Sequence, residues 1–327
     1  MSMNPIQTTE VIEQSYLGYL STTFKFKDTD LQIQLKRTLQ QPEKFIKGPI
    51  LEATPPFVKG ASLLQLINES ILSDAFLDLS SSELPIERTL YLHQEQAIRK
   101  LVQEKRNVVV ATGTGSGKTE TFLIPIIDYL MKQKQSGSLS HGVRALLLYP
   151  MNALANDQLI RLRKLLINYP DITFGRYTGE TKRDYKSALE HYQKNYNSDP
   201  LSNELIDRDS MRNRPPHILL TNYAMLEYLL LRPEDNVFFD GPYARDWHFI
   251  VIDEAHTYTG AKGIETAMLL RRLKERVIKD EKTKLQCVVT SATLGRGRQD
   301  FQQIVQFASE LFSEPFEWVE GDPSRQD

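Results

Sequence analysis

A glycine-rich stretch, ATGTGSGKTE from Ala111 to Glu120, constrains this chain more than any other part of the sequence. An apolar run, NVVVAT, precedes it and predicts a buried parallel strand, while the segment that follows, KTETFLIPIIDYLM, carries a helical apolar face. In a strand, loop and helix of this order, backbone amides converge at a helix N-terminus and attract an anion. The stretch therefore predicts a loop that binds a di- or triphosphate.

Two side chains of this loop are predicted to meet the nucleotide directly. Lys118 would reach the β and γ oxygens as a point charge, and the Thr119 hydroxyl would ligate Mg²⁺. The usual GxxxxGK[ST] spacing is missed at one position, because Thr112 stands where the first glycine belongs. The strand and helix around the loop support the prediction more than the GKT triplet, which is common by chance. The loop residues predicted to bind ATP are Thr112, Gly113, Thr114, Gly115, Ser116, Gly117, Lys118, Thr119 and Glu120.

Short apolar runs alternate with amphipathic helices through most of the chain. This alternation predicts an α/β fold, a doubly wound parallel sheet with helices on both faces. The predicted strands are NVVVAT, RALLLYP, DITFGRYT, HILLTN, WHFIVID and LQCVVTSAT. Helices are predicted to begin near Lys118, Asn152, Tyr223, Gly263 and Arg298.

Two segments fall outside this alternation. Residues 1–85 have apolar residues at helical spacing and are predicted to form a mostly helical appendage, in which the proline-rich KGPILEATPPF (Lys47 to Phe57) runs extended. Residues 86–327 would form the main domain. Within it, the polar residues 179–216 predict an insertion with one short helix around Lys186 to Lys194, too long for an ordinary connection. Either segment is a candidate for binding a partner protein.

Charge and cysteine content limit the kinds of partner. The chain has 40 basic and 42 acidic residues among 327, a formal net charge of −2, so any nucleic-acid contact must be local. Cys287 is the single cysteine of the chain, which excludes a disulfide within the chain and a cysteine-based metal site. It lies in an apolar strand pattern. The N-terminus lacks a positive region followed by an apolar run, and nowhere do about 18 apolar residues follow one another. We expect no membrane contact and a cytoplasmic location.

A second group of polar residues follows the strand WHFIVID, where the sequence continues as DEAH. Ligands of open α/β sheets bind at the carboxyl ends of the strands, where these carboxylates would lie. Asp253 is predicted to hold Mg²⁺ through water, Glu254 to orient the attacking water, and His256 to report the phosphate state to neighbouring elements. With Lys118 they form the predicted catalytic set. An acidic turn after a buried strand is the simpler alternative, which the phosphate loop upstream disfavours.

A third strand, in VVTSATLG, ends in hydroxyl side chains. If it lies between the strand before the phosphate loop and the strand before Asp253, Ser291 and Thr293 come within hydrogen-bond reach of Asp253 or His256. Ser291, Ala292 and Thr293 would then couple the state of ATP to motion. Turn formation is the alternative, because serine and threonine often follow strands.

An amide, Gln94, lies upstream of the phosphate loop in LYLHQEQAIRKL. An amide both donates and accepts hydrogen bonds, as recognition of the adenine edge requires. We therefore predict that Gln94 binds the adenine of ATP. Tyr91 and His93 could frame the base, although a packing role fits each of them equally well.

Three further polar stretches follow strand ends on the same predicted edge: YPMNALANDQ, RYTGET and LLTNYAML. Their small side chains and helix-start amides suit phosphodiester oxygens. Arg161, Arg163 and Lys164 could add positive charge, but they also fit the solvated face of a helix. The residues predicted to contact nucleic acid are Asn152, Thr178, Gly179, Thr221 and Asn222.

Taken in order, these stretches resemble the first RecA-like domain of superfamily 2 helicases of the DEAH or DExH kind. LHQ is similar to the adenine motif, TGSGKT to motif I, YPMNALANDQ to motif Ia, DEAH to motif II and TSAT to motif III. The sequences LYLHQEQAI and VIDEAHTYTG most resemble the YprA-like bacterial helicases, whose large relatives occur in DNA repair and antiphage defence. The resemblance implies ATP and Mg²⁺ as cofactors and ATP-driven translocation on nucleic acid, with DNA favoured over RNA.

The resemblance also implies a partner that this sequence does not contain. Superfamily 2 motors hold ATP between two RecA-like domains, and the second supplies an arginine finger in a QRxGRxGR pattern. No such pattern occurs here, and GRGRQD after TSAT lacks the strand or helix context for that role. We therefore expect residues 86–327 to be the first RecA-like domain of a longer protein, with the second domain absent. Because an arginine finger contributes about 10³ to 10⁵ in rate, we expect this chain alone to bind ATP and Mg²⁺ weakly and to hydrolyse ATP negligibly.

Three alternatives stay open at this point. A duplex translocase, which moves along DNA without separating strands, shares every motif above. A nucleotide-gated interaction module would use residues 1–85 or 179–216 to bind a protein and hydrolysis to time its release. RNA is also open as the nucleic acid, because backbone contacts read phosphate more than base.

Overall fold

The computed structural model describes residues 4–41, 56–79, 83–279, 284–295 and 297–321. The chain divides into two compact units, residues 1–56 and residues 57–327. The boundary predicted at residue 85 therefore falls inside the larger unit. The physical reason is burial, because Leu63, Leu66 and Phe76 belong to a hydrophobic core of the larger unit.

The described residues of the smaller unit form two helices, α1 (Pro5–Thr23) and α2 (Thr29–Leu39). Each begins at a side-chain cap, with Asn4 accepting from the amide of Ile6 and Asp28 accepting from that of Asp30. These helices match the helical spacing of the sequence, and neither contains a buried residue. The stretch predicted to run extended, KGPILEATPPF, lies outside the described residues except for its last two.

The larger unit is built on a parallel sheet. Two short strands, β1 (Lys59–Ser62) and β2 (Thr89–Tyr91), first form a separate antiparallel pair. The sheet itself comprises, among the described residues, β3 (Val108–Ala111), β4 (Ala145–Tyr149), β5 (Phe174–Arg176), β6 (Glu204–Leu205), β7 (Ile218–Asn222), β8 (Phe249–Ile252) and β9 (Gln286–Ser291). Its order is β3-β9-β8-β4-β7-β5-β6, with every neighbouring pair parallel. The predicted parallel sheet is confirmed, and the insertion adds one strand, β6.

Helices cover both faces of this sheet. They are α3 (Leu63–Asn68), α4 (Phe76–Leu79), α5 (Leu92–Val102), α6 (Lys118–Gln135), α7 (Asn152–Leu166), α8 (Tyr185–Tyr196), α9 (Arg208–Asn213), α10 (Tyr223–Leu231), α11 (Gly260–Val277) and α12 (Phe301–Phe312). The starts predicted at Lys118, Asn152 and Tyr223 are confirmed. The helix predicted near Gly263 begins at Gly260, and a 3-10 turn, Arg298–Asp300, leads into α12.

Two separate hydrophobic cores lie on the two faces. Along β4, Leu147 belongs to the core that contains residues of α5, α6 and α7, whereas Leu146 and Leu148 belong to the core that contains residues of α10, α11 and α12. The alternation follows from the two-residue period of a strand. All three leucines are fully buried, so truncating any of them to alanine would cost about 2–5 kcal/mol.

The predicted insertion, residues 179–216, is folded against α7. It supplies α8, β6 and α9, and the short helix predicted there is confirmed as α8. Arg163 of α7 donates to both carboxylate oxygens of the buried Glu204, at 2.7 and 2.8 Å. The Arg163 guanidinium also lies over the rings of Tyr192 and Tyr196. This set of contacts fixes α8 and β6 to the domain.

A second buried ion pair anchors α9. Asp235 is fully buried and accepts hydrogen bonds from Arg212 Nε at 2.7 Å and from the Tyr177 hydroxyl at 2.8 Å. Arg212 Nη2 also donates to the Tyr177 oxygen at 3.0 Å. Because breaking a buried ion pair costs about 3–5 kcal/mol, α9 is held firmly.

A buried arginine holds the amino end of the sheet, opposite the predicted site. Arg144 directly precedes β4 and is fully buried. It donates to the Gly142 carbonyl at 2.9 Å, the Ser140 hydroxyl at 3.0 Å, the Gln133 side-chain oxygen at 3.2 Å and the Asp246 carboxylate at 2.9 Å. The guanidinium thus joins the end of α6, the following loop and the segment before β8.

Two expectations from composition can be compared with the structure. Cys287 in β9 is fully buried, in agreement with its apolar strand pattern, and burial raises the pKa of its thiol. Within the described residues, none of the helices combines the length and the apolar character that a membrane span requires.

Candidate nucleotide site

Three strands end side by side at the carboxyl edge of the sheet. β9 lies between β3, which leads to the phosphate loop, and β8, which leads to Asp253. The strand order that the sequence analysis assumed is therefore confirmed. The loop, the acidic residues and the hydroxyl side chains meet at one edge, where open α/β sheets bind ligands.

The phosphate loop turns through two glycines in the left-handed region. Gly115 has φ +75° and Gly117 has φ +71°. A side chain at Gly117 would collide with the amide of Gln94, so glycine is required there on two grounds. An added Cβ at Gly113 or Gly115 would have no neighbour within 4 Å, so this part of the loop borders open space.

The side chain of Lys118 folds back onto the phosphate loop. Its Nζ donates to the carbonyl oxygens of Thr112 and Gly113, each at 3.0 Å. The Thr112 and Ser116 hydroxyls lie 2.7 Å apart, so the threonine in place of the first glycine closes the loop internally. Residues 113–115 are exposed. Exposed loop amides beside an ammonium group and a helix N-terminus are the donor set that a phosphate requires.

Glu120, on the first turn of α6, is tied to two arginines. It is 4% exposed and pairs with Arg161 of α7, and with Arg88 at 3.4 Å. Its Oε2 finds no hydrogen-bond partner among the described residues. Residue types alone do not distinguish Arg161 from the solvated face of α7, whereas the structure places it against this buried carboxylate.

Gln94 is fully buried and holds the loop in place. Its Oε1 accepts from the amide of Tyr91 at 2.8 Å, and its Nε2 donates to the Gly117 carbonyl at 2.8 Å. His93 Nε2 lies 3.0 Å from the Ser116 carbonyl oxygen, and its ring stacks on Tyr91 with centroids 5.8 Å apart. The framing rings predicted for adenine are thus adjacent to the loop, and adenine binding by Gln94 stays a prediction.

The Asp253 carboxylate is buried and accepts two hydrogen bonds. It accepts from the Thr290 hydroxyl and, at 2.9 Å, from the amide of Glu254. Burial raises the pKa of Asp253, the nearby Glu254 charge raises it further, and the Thr290 hydrogen bond and the Lys118 charge oppose the rise. Lys118 follows the phosphate loop after β3 and Asp253 follows β8, so both lie at the carboxyl edge of the sheet.

The next residues connect the acidic turn to β9. Glu254 has φ +51°, a left-handed conformation that is strained for a non-glycine residue. Its Oε2 lies 3.3 Å from His256 Nδ1, which in turn lies 3.0 Å from the Ser291 hydroxyl. Ser291 therefore meets His256 as predicted. Thr293 uses its backbone amide to bond the Ser291 oxygen at 3.3 Å, and Thr290 takes the contact to Asp253.

The predicted magnesium ligands fit a cation that keeps most of its own water. Within the described parts of the chain, no three His, Cys, Asp or Glu side chains converge as a metal site. Mg²⁺ is usually bound by one or two protein oxygens together with phosphates and water, so Thr119 and Asp253 are sufficient in number and type. The Thr119 hydroxyl also contacts Gln158 Nε2 at 3.4 Å.

The residues predicted to contact nucleic acid divide into two groups. Asn222 donates to the Asn152 side-chain oxygen at 2.7 Å, and Gly179 is exposed with open space around it. Thr178 and Thr221 are fully buried, and Thr221 donates to the Tyr177 carbonyl. The whole of each threonine, backbone included, is inaccessible in this structure, so neither offers a surface to a phosphate.

The fold and this site define a RecA-like nucleotide-binding domain. The family model described as DEAD/DEAH box helicase matches residues 91–301. The chain belongs to the DEAD/DEAH box helicase family. This finding confirms the resemblance to superfamily 2 helicases.

Two curated relatives cover different shares of the chain. Druantia protein DruE of Escherichia coli (strain UMEA 4076-1) is 30% identical, and the match covers 96% of this chain and 22% of DruE. The uncharacterized ATP-dependent helicase YprA of Bacillus subtilis (strain 168) is 27% identical, covering 66% of this chain and 24% of YprA. The chain thus spans less than about a quarter of the length of either protein.

Solved structures agree on the fold. The DUF1998 helicase MrfA matches with a TM-score of 0.55 and 26% identity, covering 77% of this chain and 33% of MrfA. A second MrfA structure, bound to DNA, gives a TM-score of 0.56 at 24% identity, covering 80% of this chain and 28% of MrfA. The DEAD-box helicase Mss116, bound to single-stranded RNA, also gives 0.56, at 20% identity, covering 82% of this chain and 48% of Mss116.

Proposed function

We propose that this chain is the ATP-binding motor domain of an ATP-dependent DNA helicase or translocase. The observation that carries the proposal is the arrangement at one sheet edge, where the phosphate loop follows β3 while, on the neighbouring strands, Thr290 contacts Asp253 and Ser291 contacts His256. A triphosphate on the loop would have a metal-binding carboxylate and a second carboxylate beside it. ATP hydrolysis coupled to movement is the activity that these groups support best.

Separate roles are proposed for the residues around the phosphates. Lys118 neutralises the β and γ oxygens, and Mg²⁺, which stabilises charge on the phosphates when bound, is held by Thr119 and through water by Asp253. Glu254 orients the attacking water. Its side chain is 26% exposed, so water can reach the carboxylate. His256 connects Glu254 to Ser291, so a change at the γ phosphate can reach β9.

Adenine recognition is proposed for Gln94, together with the neighbouring Tyr91 and His93 rings. Both hydrogen-bonding atoms of the Gln94 amide already contact the backbone. The amide oxygen has a second lone pair and the nitrogen a second hydrogen, so one further bond from each is chemically possible. Gln94→Ala is therefore expected to weaken ATP binding more than GTP binding, and equal loss for both nucleotides would leave Gln94 only its role of holding the loop.

The proposed nucleic-acid surface is the part of the edge formed by β4, β5 and β7. It offers the Asn152 and Asn222 side chains and the exposed Gly179, whereas Thr178 and Thr221 lie buried beneath it. The resemblance to YprA-like helicases and the DNA-bound MrfA structure favour DNA. The RNA-bound Mss116 structure keeps RNA as the alternative. Competition of oligo(dT) and oligo(U) for this chain distinguishes the two, and stronger competition by oligo(U) would contradict the DNA assignment.

We further propose that this chain alone turns over ATP very slowly. The small share of its curated relatives that the chain covers supports a longer protein that also holds a second RecA-like domain. The resemblance to YprA-like helicases favours DNA repair or antiphage defence as its setting. An arginine finger contributed by that domain would raise the rate by about 10³ to 10⁵. Fast, DNA-stimulated hydrolysis by the 327 residues alone would contradict this proposal.

Two substitutions test the division of roles at the site. Lys118→Ala should abolish binding of Mg²⁺-ATP, because it removes the cation beside the loop. Glu254→Gln should keep that binding and stop hydrolysis when a second RecA-like domain is present. Isothermal titration of both variants with a nonhydrolysable ATP analogue measures the difference, and equal loss of affinity in both would contradict the assignment.

A duplex translocase shares this site and differs only in what it does to DNA. A protein that contains both motor domains would separate the two possibilities in a strand-displacement assay run beside a triplex-displacement assay. Displacement of a triplex strand without duplex separation would identify a translocase. The anchoring of residues 179–216 by buried ion pairs gives no particular support to a mobile interaction module.

A further inference from the structure

One helix, α7, contacts the start of α6 at two positions. Gln158 Nε2 lies 3.4 Å from the Thr119 hydroxyl, the proposed metal ligand. Arg161, three residues further along, pairs with the buried carboxylate of Glu120. Residues three apart lie on one face of a helix, so a single face of α7 contacts two consecutive residues that follow Lys118.

The polar atoms between these helices are not fully satisfied. Gln158 Oε1 and Glu120 Oε2 are buried and have no hydrogen-bond partner among the described residues. Unsatisfied buried polar groups are rare in native proteins and each requires a reason. The two atoms belong to the same pair of contacts, so the α6–α7 junction is a place where hydrogen bonds can be exchanged when the site changes state.

The other end of α7 lies on the proposed nucleic-acid surface. Asn152, its first residue, accepts from Asn222 at 2.7 Å and donates to Glu180 at 3.0 Å. One turn later, Asn156 accepts from Arg176, which also pairs with Glu180 at 2.8 Å. The polar side chains at this end of the helix therefore connect three strand ends of the rim.

Between its two ends, α7 is fixed by apolar packing. Its inward face is buried in one hydrophobic core through Ala155, Leu159, Leu162, Leu165 and Leu166. A helix packed in this way moves as a unit, because the core cannot deform continuously. A displacement of Asn152 should therefore also displace Gln158 and Arg161.

We propose that α7 couples the nucleic-acid surface to the nucleotide site, with Gln158 and Arg161 as positioning residues. Gln158 orients the Thr119 hydroxyl, and Arg161 holds Glu120, whose carboxylate lies directly beside Gly117 of the phosphate loop. This inference rests on the proposed function, since it requires the chain to bind both ligands. Coupling is reciprocal, so nucleic acid should tighten nucleotide binding by the same factor as nucleotide tightens nucleic-acid binding.

The test measures affinity, which does not depend on hydrolysis. The dissociation constant of the chain for the imido analogue of ATP with Mg²⁺ is measured with and without saturating oligo(dT), and that for oligo(dT) with and without the analogue. For the unaltered chain we expect a coupling factor of about 5 to 150, the usual range for linked sites. Arg161→Met and Gln158→Ala should each reduce this factor to about 2 or less, while the affinity for oligo(dT) alone stays within about twofold.

Two variants control for loss of structure or charge. Lys164→Met removes a cation from the same helix, where Lys164 pairs with the surface residue Glu83 at 2.7 Å, and should keep the full coupling factor. Arg161→Lys retains the charge against Glu120 and should restore part of the coupling lost in Arg161→Met. Thermal unfolding of every variant identifies a general loss of structure.

The outcomes separate this inference from the proposed function. If the unaltered chain binds neither the analogue nor oligo(dT), the proposed function is wrong and this inference falls with it. If it binds both but shows no coupling, or if Arg161→Met and Gln158→Ala keep the full factor, only the inference is overturned. A loss of coupling equal in Lys164→Met and Arg161→Met would also overturn it, because surface charge would then explain the effect.

Discussion

The Thr290 hydroxyl donates a hydrogen bond to the Asp253 carboxylate, joining two neighbouring strands at the edge of the sheet. Asp253 is about nine-tenths buried, so a donor supplied by β9 offsets part of the cost of keeping its charge out of water. The DEAH turn and the TSAT turn are therefore linked by the residue that precedes Ser291 as well as by Ser291 itself.

Replacing this donor should be costly. Thr290→Val keeps the shape of the side chain and leaves the buried carboxylate without its hydroxyl partner, so we expect a loss of about 1–3 kcal/mol in the free energy of unfolding. Urea denaturation measures the loss. Thr293→Val is the matched control, because Thr293 is exposed and bonds Ser291 only through its backbone amide. A similar loss in both variants would contradict the assignment of Thr290.

The phosphate loop should tolerate alanine at one glycine and reject it at another. Gly117→Ala places a Cβ against the Gln94 amide in a residue with φ +71°, and we expect it to destabilise the domain by about 1–3 kcal/mol. Gly113→Ala adds a Cβ to open space and should change stability by less than about 0.5 kcal/mol. Thermal unfolding without nucleotide compares them, and equal stability of the two variants would show that the loop adapts freely.

Breaking the buried Arg163–Glu204 ion pair should detach the insertion, residues 179–216, from α7. Arg163→Ala leaves Glu204, with a side chain 1% exposed, without its bidentate partner, at an expected cost of about 3–5 kcal/mol. Limited proteolysis should then cleave within residues 179–216. Arg183→Ala is the control, because the Arg183 side chain is 79% exposed and lies 3.9 Å from Asp209. Unchanged proteolysis of Arg163→Ala would mean that packing alone holds the insertion.

Acid should destabilise the domain through two buried histidines. Burial is the main cause that lowers the pKa of His217 and of His248 to about 4, from an ordinary value of 6.5. The unfolded chain then takes up protons at a higher pH than the folded chain, so their contribution is complete above pH 6.5 and is lost as the pH falls from 6.5 towards 4. Each unit of pKa difference corresponds to roughly 1.4 kcal/mol.

This loss can be assigned to one ring by substitution. His217 accepts from the Thr173 amide at 3.0 Å, and its Nε2 lies 3.0 Å from the Ser140 carbonyl oxygen, as a neutral ring requires. His217→Gln should make the free energy of unfolding less dependent on pH across that window, whatever its effect at neutral pH. His191→Gln, at an exposed position, is the control. Parallel pH profiles for His217→Gln and the unaltered chain would disprove the contribution.

Local pattern was sufficient for the sheet and for the phosphate loop. Apolar runs that end in glycine, acidic or hydroxyl residues predicted the strands and the edge where those residues meet. Strand register was not accessible in the same way. The pairing of Ile252 with Val289 puts Asp253 level with Thr290, whereas Thr293 lies beyond the end of β9.

Contacts between residues that are distant in the chain could not be predicted, for a similar reason. Glu120 and Arg161 are 41 residues apart, and nothing in their spacing reveals that α6 and α7 bring them together. The boundary at residue 85 reflects the same difficulty, because the apolar residues of α3 and α4 have no partner visible in their own segment. Their burial against the main core becomes evident only in three dimensions.

The buried guanidinium of Arg144 bears on how such a domain would transmit force. Strand β4 lies in the middle of the sheet, and Arg144 lies at its amino end, opposite the candidate nucleotide site. The guanidinium connects this end of β4 to the end of α6 and to the segment before β8. A pull applied at the opposite edge would thereby be shared between β4, the end of α6 and the segment before β8. If the chain acts as the proposed motor domain, β4 and its neighbours should therefore move together, without shear between them.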